Sequence, residues 1–183
     1  MVLIEELSVD DAGVLKERGN EAFRQKRYTE AVSVYTEALS LDSSADLKAS
    51  LLFNRATSLF HLQNFTDCVS DCTEALTLNP EYVKVYYRRA LANEQLNLFE
   101  EAVSDFDKLF DLDPPSRSLH AQHYNQLSKK REMKFNADKE EMMASLKSMG
   151  NSLLGNFGLS LDQFKFDKDP STGNYSVRMD NSS

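Results

Sequence analysis

The chain has 183 residues, of which 41% are hydrophobic and 27% charged, and it carries a formal net charge of −8. That length suits one domain plus an extension. The acidic balance argues against general nucleic-acid binding, which needs a basic surface, and no run approaches the ~18 consecutive apolar residues of a membrane-spanning helix.

In chain order, residues 1–10 read as a short leader that lacks the basic and long apolar regions of a signal peptide. With only two cysteines and no export signal, the sequence points to a reducing, cytoplasmic setting. Asp10 or Asp11 is expected to cap a helix over about 11–26, and a second helix runs over about 28–41. After the link Asp42-Ser43-Ser44-Ala45-Asp46, helices are predicted over about 46–63 and 65–78, ended by Asn79-Pro80. A third pair covers about 81–97 and 99–112, ended by Asp113-Pro114-Pro115. Ser116 or Ser118 caps a seventh helix, whose Leu119, Tyr124 and Leu127 are expected to cover the exposed end of the third pair. Ser128 to Glu141 is mostly charged. Met142, Leu146, Met149 and Leu153 then follow at steps of 4, 3 and 4, a helical stripe. In the tail, Phe164, Phe166, Tyr175, Val177 and Met179 alternate with polar residues around Asp169-Pro170-Ser171-Thr172-Gly173, the pattern of a small β-hairpin.

Three rows of residues recur through the paired helices. Tyr28, Phe65 and Phe99 form one, Gly19, Ala56 and Ala90 a second, and Ala31, Cys68 and Ala102 a third. All three rows take the same two steps, 37 and then 34. Pro80 and Pro114 are also 34 apart. Small residues at fixed places let two helices pack closely, and a proline follows the second helix because it cannot continue one. The pattern resembles tetratricopeptide (TPR) repeats, which are helix–turn–helix units. The resemblance implies an all-α fold: a right-handed superhelix of three TPR hairpins, a long C-terminal capping helix and a short hairpin-patterned tail. The repeats fall within 11–116, at about 12–45, 49–82 and 83–116. The capping helix spans 117–155, and the tail 156–183 is either a packed hairpin or disordered.

In such superhelices the first helix of each pair lines the concave groove. Lys16 and Asn20 lie four apart on one face of the first helix, Lys84 and Arg88 likewise on the fifth, and Asn54 sits on the third. Three cations and two amides in a groove of an acidic protein suit a ligand that offers two carboxylates. These five residues resemble the two-carboxylate clamp of co-chaperone TPR domains. The resemblance implies that they grip the free C-terminal Glu-Glu-Val-Asp of heat-shock chaperones of the seventy- and ninety-kilodalton classes, with Phe23 and His61 contacting upstream side chains. It implies a binding adaptor that is not an enzyme and needs no cofactor.

The segments Met149-Gly150-Asn151, Asn156-Phe157-Gly158-Leu159-Ser160 and Thr172-Gly173-Asn174-Tyr175-Ser176 resemble the tail of the tetratricopeptide repeat protein 1 family. That family carries an acidic N-terminal region not included here, and is linked to Gα and Ras-type GTPase partners. The alternative expectation is therefore a scaffold that holds a folded GTPase on its convex face or C-terminal helix. The stripe Met142, Leu146, Met149 and Leu153 is expected to be a second interface, either for a second copy or for a foreign protein. Cys68 and Cys72 read as core, His120 and His123 as part of a solvated cap helix rather than a metal site, and Lys129-Lys130-Arg131 as a wet helix face. No phosphate loop, nucleophile elbow or Ser/His/acid set is present, so no catalytic residue is assigned.

Overall fold

The computed structural model describes residues 9–41, 43–168 and 175–179. The leader to residue 8 and the turn Asp169–Gly173 lie outside them. The chain divides into two compact units, 1–131 and 132–183.

In the first unit, helices α1 (Val9–Arg24) and α2 (Tyr28–Leu39), α3 (Ala45–His61) and α4 (Phe65–Leu78), and α5 (Val83–Gln95) and α6 (Phe99–Leu112) form three antiparallel hairpins, and α7 (Ser116–Gly155) begins after them. The first helix of each pair stops at Arg24, His61 or Gln95, short of the end that the apolar periodicity suggests. The reason recurs in every repeat. Lys26, Gln63 and Asn97 all adopt left-handed backbone, with φ of 60°, 59° and 58°. In each turn the next amide reaches back to the helix: Arg27 N–H to the Ala22 carbonyl, Asn64 N–H to Leu59 and Leu98 N–H to Asn93, each at 2.9 Å. That is the Schellman closure, which satisfies the otherwise unpaired last carbonyls of a helix. At the other ends Ser44 caps α3 by accepting from Leu47 N–H at 3.3 Å, and Asn64 caps α4 by accepting from Asp67 N–H at 3.4 Å. Helix α1 begins at Val9, so Asp10 and Asp11 fall within its first turn. Ser116 and Ser118 likewise fall inside α7, where their hydroxyls donate to the Asp113 and Pro115 carbonyls.

The core is three linked clusters, each closed by the helix that follows its hairpin. Leu51 of α3 completes the cluster of α1 and α2, Val85 and Ala92 of α5 complete that of α3 and α4, and Leu127 of α7 completes that of α5 and α6. The small residues of the repeat rows are buried as their spacing requires, Ala56, Ala90, Ala31, Cys68 and Ala102 all at 0% exposure. Cys68 and Cys72 are free and buried. The Cys68 neighbour and burial together push the Cys72 thiol far above its ordinary range, so it behaves as a small core residue.

Capping by α7 differs from expectation in two respects. Leu127 is fully buried and Tyr124 packs on Phe110, donating its hydroxyl to Asp107 at 2.8 Å, but Leu119 is 78% exposed. Leu119 sits in the first turn of α7 and lines a cavity there instead of the core. The basic run is also not simply wet. Lys130 Nζ reaches Glu94 at 2.7 Å, and Arg131 reaches Glu100 at 3.6 Å.

In the second unit, the end of α7 is followed by a 3₁₀ turn (Leu161–Gln163) and an antiparallel pair, β1 (Phe164–Lys168) and β2 (Tyr175–Met179), with Phe164 opposite Met179 and Lys168 opposite Tyr175. The turn is latched onto the helix. Asn151 Oδ1 accepts from Leu161 N–H at 2.6 Å and from the Ser160 hydroxyl at 3.1 Å, and Lys147 pairs with Asp162 at 2.5 Å. Leu161 occupies the space where a side chain at Gly150 would go.

Candidate functional site

The first helices of the three hairpins, α1, α3 and α5, carry the five expected groove residues, and two cavities open along them. One, of about 280 Å³, is lined by Asn20, Phe23, Arg24, Phe53, Asn54 and Thr57, with Tyr35 at its base. The other, of about 510 Å³, includes Phe53, Lys84, Tyr87, Arg88, Leu119 and His120 in its lining. Phe53 belongs to both, so the amide pair and the Lys84–Arg88 pair flank one aromatic ring. Lys16 lines neither cavity.

The two amides are held rigidly. Asn20 Oδ1 accepts from the Tyr35 hydroxyl at 2.8 Å and from Asn54 Nδ2 at 2.9 Å. Burial pushes the Tyr35 phenol up to about 12, so at neutral pH it is a donor. With its oxygen doubly engaged, Asn20 turns its amino group outward, where it donates to Glu17 at 3.1 Å. Asn54 Nδ2 keeps one N–H beyond the bond to Asn20. The sequence reading named the two asparagines but not Tyr35 or Glu17. Tyr35 stands in a fourth repeat row with Cys72 and Phe106, which takes the same steps as Gly19, Ala56 and Ala90 and marks a core position without announcing a hydroxyl donor.

The cations are uncommitted. Among the described residues, none of Lys16, Lys84 and Arg88 is in an ion pair. The Arg88 guanidinium lies over the Phe60 ring, 4.8 Å from its centroid, which fixes its plane. Its Nε is buried with no hydrogen-bond partner. Such an orphan donor costs stability unless an acceptor arrives.

Phe23 and His61 meet, but as part of an aromatic group. His61 stacks on Tyr28 with centroids 4.6 Å apart and an interplanar angle of 7°, and meets Phe23 edge-on at 5.5 Å. Burial and the charge of Arg88 hold the His61 imidazole below its ordinary range, which favours its neutral form.

The neighbouring arginines show what committed cations look like here. Arg55 grips Asp71 through Nε at 2.8 Å and Nη2 at 2.7 Å, and its Nη1 reaches Thr36 of the preceding hairpin at 3.1 Å. One period on, Arg89 grips Asp105 at 3.0 and 2.7 Å and reaches Thr73 at 3.0 Å. Each bidentate pair ties the two helices of one hairpin, the third bond to threonine joins it to the preceding hairpin, and both arginines are absorbed by the fold. Histidines 120 and 123 are similarly engaged, His120 against the Tyr87 ring at 4.6 Å and His123 Nε2 with Glu94 at 2.7 Å. Among the described residues no three His, Cys, Asp or Glu side chains converge as a metal site requires.

Helix hairpins stacked in a regular repeat define an α-helical repeat protein. Family models described as tetratricopeptide repeat match residues 16–67 and 83–116. The chain belongs to the tetratricopeptide repeat family. It is 41% identical over 105 residues to the DnaJ homolog subfamily C member 7 homolog of Dictyostelium discoideum, covering 57% of this chain and 20% of that protein. It is 40% identical over 105 residues to the mitochondrial import receptor subunit TOM70 of Rattus norvegicus, covering 56% of this chain and 17% of that one. The chain thus spans about a fifth or less of the length of these curated relatives. Among solved structures, the first TPR of Spaghetti (RPAP3) bound to the HSP90 peptide SRMEEVD superposes with a TM-score of 0.61 at 33% identity, covering 68% of this chain and 96% of that domain. The second TPR domain of human RPAP3, in complex with the HSP70 peptide SGPTIEEVD, gives 0.57 at 32% identity, covering 66% and 94%.

Proposed function

We propose that this chain is a non-catalytic adaptor whose groove binds the free, acidic C-terminus of heat-shock chaperones of the seventy- and ninety-kilodalton classes. The observation that carries the reading is the contrast between spent and unspent cations. Arg55 and Arg89 are closed onto aspartates, while Lys84 and Arg88, on one face of α5, stay free beside two fixed amides. A terminal aspartate offers a main-chain and a side-chain carboxylate. One fits the amino groups of Asn20 and Asn54 with Lys16, displacing Glu17 from Asn20, and the other fits Lys84 and Arg88, giving the orphan Nε a charged environment. The peptide-bound RPAP3 domains support this choice of ligand. Phe23 and His61 are available for side chains further upstream.

Lys84 is exposed and has no ion-pair partner to lose, so its removal tests the site without disturbing the fold. Lys84→Ala is expected to weaken binding of a peptide ending in Glu-Glu-Val-Asp by roughly tenfold to a hundredfold, the loss of about 1.5–3 kcal/mol for a charge-assisted hydrogen bond. Calorimetric titration alongside an unchanged circular dichroism spectrum checks it. Binding equal to the unmodified chain would remove Lys84 from the site. No relative named above and no feature of the described residues favours the alternative of a GTPase held on the convex face.

A further inference from the structure

Phe135, Met142, Leu146, Met149 and Leu153 follow one another along α7 at steps of 7, 4, 3 and 4. They fall on one stripe, and their exposures run from 50% at Leu146 to 66% at Phe135. The composition of the helix changes where the stripe becomes continuous. Most of the residues from Ser128 to Glu141 are charged, whereas 142 to 155 contain a single charge, Lys147, and that is paired with Asp162. Loss of charge with enrichment in Met is the composition of an interface centre, not of a wet helix face. Among the described residues, the tail segment held against the helix does not cover it. Gly150, Asn151 and Lys147, which hold the 160–162 segment, lie on the adjacent face of the helix. Ser145 and Ser152 border the stripe on the side away from Gly150, and they are small enough for another helix to approach closely.

We propose that the stripe is covered by the same stripe of a second copy of this chain, with the two helices antiparallel. Alternating steps of 4 and 3 make the two-position seam of a helix pair, and two identical seams are complementary in shape. Lys139 decides the direction. It occupies the stripe position between Phe135 and Met142. A parallel, in-register pair would set Lys139 against its own copy, like charge on like charge. An antiparallel pair centred between Leu146 and Met149 sets Leu146 against Met149 of the second copy and Met142 against its Leu153. Lys139 then falls at the end of the other helix, just past Gly155, where the unpaired carbonyls and the helix dipole favour a cation. In this register four large side chains of each copy meet, Met142, Leu146, Met149 and Leu153. At on the order of 100 Å² apiece they total roughly 400 Å² per copy, about half of the ~800 Å² per partner of a standard interface. The dimer is accordingly weak and forms only at high protein concentration.

The test is sedimentation of the full chain across a concentration series that spans weak association, from about 1 μM to about 1 mM. The expected result is a reversible shift from monomer to dimer, abolished by Leu146→Asp and by Leu153→Lys with helical content unchanged. Two variants guard against one of them merely misfolding. For the direction, Leu146→Cys and Met149→Cys chains are oxidised separately and mixed; the native cysteines are buried and do not compete. Cross-links that form mainly on mixing support the antiparallel pair. Cross-linking of each variant with itself would overturn that direction. A chain that stays monomeric throughout the range would overturn the proposal, including the case where the stripe receives a different protein. Neither readout involves the groove peptide, so this inference and the proposed function fail separately.

Discussion

Gly19 is where packing and the groove meet at the scale of single residues. The Tyr35 ring, 1% exposed, fills the place a Cβ at Gly19 would take, and its hydroxyl holds Asn20. Gly19→Ala should therefore act twice. Overpacking costs about 1–3 kcal/mol, of which helix propensity returns about 1 kcal/mol, leaving a net loss on the order of 1 kcal/mol in urea unfolding. Displaced Tyr35 also releases Asn20, so peptide affinity should fall by more than the stability change alone explains. Tyr35→Phe isolates the second effect: the core keeps its shape, and binding weakens through the freed Asn20 amide. Unaltered affinity in Tyr35→Phe would mean that the Tyr35–Asn20 bond does not position the site. The close approach at Gly19 was legible in the sequence, because Ala56 and Ala90 share its frame. The residue it accommodates was not, since the matching positions hold a Cys and a Phe, and nothing in that row signals a hydroxyl donor.

At the scale of elements, the helix pairs were readable from period and punctuation, but their ends were not. Lys26, Gln63 and Asn97 adopt left-handed backbone without being glycine, so the usual stop signal for a helix C-terminus is absent and apolar periodicity runs past the true end. The Arg–Asp brackets were equally hidden, although Arg55 and Arg89 share one repeat frame and Asp71 and Asp105 another. The first hairpin breaks the pattern, with Val34 where the aspartate would stand opposite Arg18. The docking of α7 hinges on a polar contact that long-range sequence reading does not reach. Glu94 accepts from His123 and Lys130, both at 2.7 Å. Burial opposes its ionisation, yet those two hydrogen bonds hold the carboxyl below its ordinary range. A depressed carboxyl contributes stability above its unfolded pKa, about 4.3 for Glu, and loses it as pH falls through the lower folded value. Glu94→Gln should thus melt at a lower temperature than the unmodified chain at pH 7, and the difference should shrink as pH falls below about 4.3 and vanish once the folded-state carboxyl is protonated. A gap that persists in acid would show that the α7 contact at Glu94 is steric.

For the whole molecule, charge distribution is the governing feature: a −8 chain keeps cations free in one groove and neutralises those around it. An acidic ligand must approach an acidic protein, so its affinity rests on that local reversal of sign and should fall with added salt, since exposed charges are screened beyond about 8 Å at physiological ionic strength. The three helix hairpins were visible in the sequence because a repeat writes its frame three times, and the same frame named the five positions proposed for the ligand. The order within the groove, with two locked amides, an arginine laid on Phe60 and Lys16 apart from both cavities, depends on rotamers that no spacing encodes. The claim that matters most is that the groove reads a free terminal carboxylate together with the aspartate side chain. Calorimetric titration of the chain with an acidic peptide ending in Glu-Glu-Val-Asp, as the free acid and as the C-terminal amide, tests it directly. The free acid is expected to bind and the amide to bind at least about tenfold more weakly, the loss of one charge-assisted contact. Equal binding of the two peptides, or binding of neither, would contradict it.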